Sequence, residues 1–126
     1  MKAKIQYLYL DEVIEIGEAL IPDFRIRDIG LLESAVNRPE MNIYGQEAYK
    51  TLAEKIAALM HSLAANHALV DGNKRITWSC GRVFAILNGC DFDVDVDEAE
   101  KVIVSIASGD LDAKSLAPII EKWFES

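Results

Sequence analysis

Apolar residues recur at intervals of three and four along most of the chain, the spacing of helices that bury one face. The strongest instance lies in residues 52–65. There Leu52, Ile56, Leu59, Met60 and Leu63 share a face, alanines fill much of the remainder, and Thr51 stands at the N-cap. Such small residues around the circumference let neighbours approach closely, which suits a helix at the middle of a bundle. A second pattern runs from residue 74 to about 88, with Ile76, Val83, Phe84 and Leu87 inward and Gly89 as its stop. Gly81 inside it costs up to about 1 kcal/mol relative to alanine and predicts a close helix crossing.

The flanking segments are shorter. Residues 5–10 are apolar and aromatic, either a short strand or an extended lead-in. Asp11 is a candidate N-cap for a first helix carrying Val13, Ile14, Ile16, Ala19 and Leu20 on one side, ended by Pro22. Asp28 caps a second helix through Leu31, Leu32, Ala35 and Val36, which stops near Asn37 because Arg38 precedes Pro39 and is biased away from helical geometry. From 39 to 49 no period is sustained, and Asn42, Tyr44, Gly45 and Tyr49 mark a flexible segment, or a connecting loop anchored by Tyr44.

Beyond Cys90, Asp91, Asp93, Asp95 and Asp97 alternate with Phe92, Val94 and Val96. A calcium loop would need glycine where Val96 stands and glutamate where Val102 stands. The alternation fits a short half-exposed strand leading to a capping box, Asp97 with Glu100. That box opens a helix through Val102, Ile103, Ile106 and Ala107, closed by Gly109. A last helix starts about Asp112 with Leu116, Ile119, Ile120, Trp123 and Phe124 apolar, and Pro118 in its interior predicts a break or a late start. The expected fold class is all-α: a compact single-domain bundle over residues 1–126, of about six helices with at most short strand segments.

Composition sets outer bounds. The 126 residues, 51% hydrophobic and 27% charged, suit one globular domain that folds without staples. A formal charge of −8 argues against a nucleic-acid surface, which needs a basic face to displace counterions, and suits a basic partner instead. The local exceptions are Arg25 with Arg27, and Lys74 with Arg75 and Arg82. Cys80 and Cys90 form no disulfide framework and read as small hydrophobes in a reducing cytoplasm. The start, Met1, Lys2, Ala3, Lys4 and Ile5, is charged and lacks the apolar h-region of a signal peptide, and no apolar run is long enough to span a bilayer. The expected location is cytoplasmic.

Candidate chemistry is concentrated in residues 66–75, which lie between the two strongest helical patterns. His67 can take a proton from a hydroxyl near neutral pH. Asp71 is a hard oxygen ligand suited to a magnesium ion that also touches phosphate. Gly72 allows close backbone approach at a helix N-terminus, where unpaired N–H groups and the dipole hold anions. Asn73 can hydrogen-bond a phosphate, while Lys74 offers a point charge and Arg75 a planar fork for charge that grows during transfer. His61, on the preceding helix, is read as a structural histidine rather than a metal partner of His67, since no third ligand is apparent.

The run His67-x-Leu69-x-Asp71-Gly72-Asn73-Lys74-Arg75 resembles the signature of the Fic/Doc superfamily. Lys74, where adenylylating members carry glycine, and Trp78, where many carry a second arginine, resemble the Doc toxin branch. Upstream, Gly30, Leu31, Leu32, Glu33, Ser34, Ala35, Arg38 and Pro39 extend the likeness, which covers roughly residues 28 to 90. The resemblance implies that His67 is the general base and Asp71 the magnesium ligand, with Gly72, Asn73, Lys74 and Arg75 at the nucleotide phosphates. It also implies that the segment 39–49 is a flap aligning the target chain. The function so implied is a toxin of a toxin–antitoxin pair: an ATP-dependent protein kinase acting on a Ser/Thr hydroxyl of a translation factor, elongation factor Tu above all. A Fic-like adenylyltransferase and a catalytically silent antitoxin-binding subunit are the alternatives. Many members carry an inhibitory Ser/Thr-x-x-x-Glu motif. None is present here, since no serine or threonine has glutamate four residues on. Inhibition in trans by an antitoxin whose C-terminal segment folds near Arg75 is therefore expected.

Overall fold

The computed structural model describes residues 4–124. Residues 1–3, part of the opening segment for which no signal peptide is expected, lie outside them. Six helices order the described chain: α1 Leu10–Leu20, α2 Ile29–Asn37, α3 Leu52–Asn66, α4 Asn73–Leu87, α5 Val96–Ala107 and α6 Ala113–Trp123. A 3-10 turn, Arg38–Glu40, and a two-stranded antiparallel hairpin, β1 Asn42–Ile43 with β2 Gln46–Glu47, connect α2 to α3. The all-α class is as expected, and among the described residues no helix is long and apolar enough to cross a membrane.

α3 is the axis. Residues from Ala53 to Ala64 are buried on almost every side, with α2, α4, α5 and α6 packed around them. Its start is a full capping box: Thr51 Oγ1 accepts from Glu54 N at 3.1 Å, and Glu54 Oε1 accepts from Thr51 N at 3.2 Å. The crossing anticipated at Gly81 is the packing of α4 on α3, where a Cβ would press into the side chain of Met60. Cys80 is buried on the same face, and burial pushes its thiol pKa up to about 12. Asp28 caps α2 through Leu31 N at 3.0 Å, and Asp112 caps α6 through Ser115 N at 2.8 Å.

Several expectations require correction. Residues 5–9 are the lead-in rather than a strand, tied down where Gln6 N donates to Asn88 Oδ1 at 2.8 Å and Gln6 O accepts from Asn88 Nδ2 at 2.9 Å; α1 is capped at Tyr9, whose N–H donates to Glu12 Oε1 at 3.0 Å, and Asp11 lies in the first turn. Val13 and Gly17 of α1 are buried and Ile14 and Ile16 pack against the core as expected, while Ala19 and Leu20 are exposed. Leu87 of α4 is also exposed. The acidic alternation yields no strand, only a bridge of Phe92 to Phe124, because Phe92 is drawn into a cluster with Trp78 and Trp123 at 5.5 and 5.4 Å. α5 then starts at Val96 behind Asp95, an N-cap two residues earlier than expected, and Asp97 sits in its first turn.

Pro118 breaks nothing, and α6 runs through it. Pro118 and Lys114, whose carbonyl loses its helical partner, are both exposed, so water can replace the missing donor. Burial of Leu116, Ile120 and Trp123 meanwhile holds the helix in place. Tyr44 anchors no loop. It is fully exposed, at φ 51°, and with Gly45 at φ 79° forms the hairpin's tip. The anchor is Lys55 on α3, only 1% exposed, whose ammonium meets Glu47 Oε1 at 3.4 Å and the Tyr49 carbonyl.

Candidate active site

α3 stops where His67 turns left-handed, at φ 49° and ψ 49°. That conformation costs a residue with a Cβ about 1 kcal/mol or more and persists only where neighbours enforce it. Here the neighbours come from residues 25–28. Arg27 Nε donates to His67 O at 2.9 Å, and its Nη2 reaches the carbonyls of both Asn66 and His67. Arg27 N and Asp28 N donate to Ala68 O at 2.8 and 3.0 Å, Ile26 bridges Leu69, and Val70 N donates to Arg25 O at 3.0 Å. Ala68 and Leu69 are buried, so the loop is pinned in the core while His67, Val70 and Asp71 face solvent.

Asn73 closes the loop from the other side. Its Oδ1 accepts from Leu69 N and its Nδ2 donates to Leu69 O, both at 3.0 Å. The residue read as a phosphate donor therefore has a prior task, clasping the loop that carries His67 and Asp71. Gly72, at φ 84°, serves as N-cap of α4 with no side-chain cap bond, and a Cβ there would meet Ile21 at 2.8 Å. Only glycine suits both the conformation and the space. Asp71 Oδ1 accepts from Gly72 N at 2.9 Å. Arg75 Nη1 donates to Leu20 O at 3.0 Å, at the C-terminal end of α1.

These residues line one cleft of about 860 Å³. His67, Asp71, Gly72, Asn73, Lys74 and Arg75 line it together with Ile21 and Pro22, and Val104 and Ala107 of α5, with Ser108 at its C-cap, add a lining that sequence reasoning did not foresee. The volume suits a nucleotide-sized ligand. Trp78 is spent elsewhere, at 6.2 Å from Trp123 in the aromatic cluster.

A family comparison matches residues 7–85 to the Fic/DOC family. A relative, Toxin Doc of Mycolicibacterium smegmatis (strain ATCC 700084 / mc(2)155), is 44% identical over 115 residues, covering 89% of this chain and 88% of that protein. The chain belongs to the Fic/DOC family.

In this Fic/DOC chain the six motif residues singled out from the sequence converge on the same cleft, whereas His61 does not. Its Nδ1 lies 3.3 Å from Arg38 Nη1, in a group that also includes Tyr49 and Ser62. Burial, and then the Arg38 charge, holds the His61 pKa below its ordinary value. Magnesium, which the family resemblance implies, fits Asp71. That carboxylate is exposed with one oxygen on the Gly72 amide, and magnesium is commonly held by one or two carboxylates together with substrate phosphates. Among the described residues no group of three or more His, Cys, Asp or Glu forms an all-protein cage.

The clasp gives a prediction. Asn73→Ala removes two hydrogen bonds and leaves the Leu69 backbone without them, at a cost of about 1–3 kcal/mol in stability. Thermal unfolding and transfer assays should show a folded, less stable protein with activity reduced beyond its stability loss, because the clasped loop carries both His67 and Asp71. Unchanged activity at unchanged melting temperature would remove Asn73 from the site.

Proposed function

We propose that this chain is a toxin of a toxin–antitoxin pair that transfers the γ phosphate of ATP to a serine or threonine hydroxyl of a translation factor. The observation carrying this reading is the convergence of a histidine, a carboxylate and an uncapped helix N-terminus on one nucleotide-sized cleft. His67 takes the hydroxyl proton as the oxygen attacks the γ phosphorus. The bond from γ phosphorus to the bridging oxygen breaks, and ADP leaves with that oxygen. The amides around Gly72 to Arg75, with the Lys74 and Arg75 side chains, hold the phosphates. Bound at Asp71, magnesium would neutralise phosphate charge.

The relative's name supports the toxin assignment, and an antitoxin in trans follows from the absence of an inhibitory glutamate motif. The resemblance points to elongation factor Tu as the target. By the same likeness, the hairpin over 42–47 is the flap that receives the target chain.

ATP labelled at the α or the γ phosphate, offered with a bacterial lysate, distinguishes the readings. Label from γ identifies a kinase, label retained from α an adenylyltransferase, and neither, with tight antitoxin binding, a silent binding subunit. The expected donor is γ, because the Lys74 side chain crowds the depth that glycine would leave open and shifts the nucleotide outward. Lys74→Gly should therefore bring the α phosphate towards His67 and raise nucleotidyl transfer at the expense of phosphoryl transfer. An unaltered choice of transferred group would sink that geometric argument.

A further inference from the structure

We propose that Arg27, outside the motif, is the positioning residue that fixes His67 for proton transfer; this rests on the reading of His67 as the base. Three contacts converge on the two last carbonyls at the end of α3: Nε and Nη2 on His67 O, and Nη2 on Asn66 O. These carbonyls have no helical partner, and the helix dipole makes that end negative, so a guanidinium there is favoured twice. Its planar fork spans both oxygens, which a lysine ammonium does not do with the same geometry.

The consequence for His67 is specific. Its left-handed backbone directs the side chain into the cleft's lining instead of continuing along α3, and Arg27 bonds to the carbonyl of that same residue. Backbone bonds from Arg27, Asp28 and Val70 register the following residues but leave the His67 carbonyl to the guanidinium alone among the bonds described. Arg27 itself is exposed and stands outside the residues lining the cleft. Its effect on the reaction therefore passes through His67, and removing its side chain takes nothing from the buried core.

The test compares Arg27→Ala and Arg27→Lys with the wild-type chain in transfer kinetics, thermal unfolding and histidine NMR. The chain has two histidines, so two imidazole Cε1–H resonances are expected, and His67→Ala assigns them. Misplacing a catalytic group by about 1 Å costs on the order of 100-fold. Arg27→Ala should lower kcat by about 10- to 100-fold with little change in KM for ATP. It should also shift or broaden the His67 resonance while that of His61 stays in place. Arg27→Lys should recover part of both effects.

Should the wild type transfer neither phosphate, the kinase reading fails, and the NMR comparison still decides whether Arg27 orders His67. Should Arg27→Ala not fold, Arg27→Lys carries the test: a reduced kcat with a displaced His67 signal supports the proposal. Wild-type kcat and an unmoved His67 resonance in a folded variant would overturn it and leave Arg27 as a helix cap.

Discussion

His67→Ala should lower the rate of transfer by about 10² to 10⁴, the usual effect of removing a general base, while the helical fold and its melting temperature remain close to wild type. The reason lies in where His67 sits. Its side chain is exposed on the loop, and the contacts that order that loop are made by the backbone carbonyl of His67, by buried Ala68 and Leu69, and by the Asn73 clasp. Alanine keeps the carbonyl and removes the imidazole. Steady-state transfer from labelled ATP gives the rate, and circular dichroism with thermal unfolding gives the control. In cells, the wild-type chain expressed alone should arrest growth, co-expression with its antitoxin should relieve the arrest, and His67→Ala should be harmless yet still bind the antitoxin. Near-wild-type transfer by His67→Ala at pH 7 would require another base.

Asp71→Ala should be comparably severe but different in kind. A metal ion at a transferring phosphoryl group supplies several kcal/mol of charge stabilisation, and each ~1.4 kcal/mol is a factor of ten in rate. Loss of the carboxylate should therefore slow transfer by about 10² or more and weaken magnesium-dependent ATP binding. Chelating magnesium in the wild type should produce a similar loss, and Asp71→Ala should add little once the metal is gone. Titration of magnesium at fixed ATP, by calorimetry and by rate, separates this from simple loop damage. If Asp71→Ala keeps the wild-type magnesium dependence, the ion is held elsewhere. Asp71 also receives the Gly72 amide at 2.9 Å, so Asp71→Asn, which retains an acceptor for that bond, controls for its local turn role.

The residue pattern alone determined most of the architecture, because the deciding interactions are local. The apolar stripe of Leu52, Ile56, Leu59, Met60 and Leu63 predicts α3, and short side chains of the right chemistry at Asp28, Thr51 and Asp112 find amides three residues on. The motif was legible for a related reason: six reactive residue types lie within nine positions, and one loop entering one helix keeps them together wherever the remainder of the chain folds. Gly81 signalled a close approach, and α3 meets α4 there.

What only the tertiary structure decided depends on partners distant in sequence. Arg27 lies 40 residues from His67, so no periodicity links the guanidinium to that carbonyl. Lys55 is buried only because Glu47 and the Tyr49 carbonyl fold over its ammonium, contacts the helical spacing of α3 does not signal. Local rules favour Asp11 and Asp97 as caps, yet α1 and α5 begin behind Tyr9 and Asp95, neither of which makes a side-chain cap bond, so burial of the apolar faces of the two helices outweighs the cap. Pro118 predicts a break or a late start in sequence, yet one hydrogen bond lost at solvent weighs less than burying Leu116, Ile120 and Trp123. Asn73 has the chemistry of a phosphate ligand in sequence and acts as a clasp in the fold, since folding brings the Leu69 backbone within reach of both ends of its amide. Spacing fixes which groups are neighbours along a helix; packing fixes which of them meet across helices, and Val104 and Ala107 line the same cleft as Lys74 only by that second kind of contact.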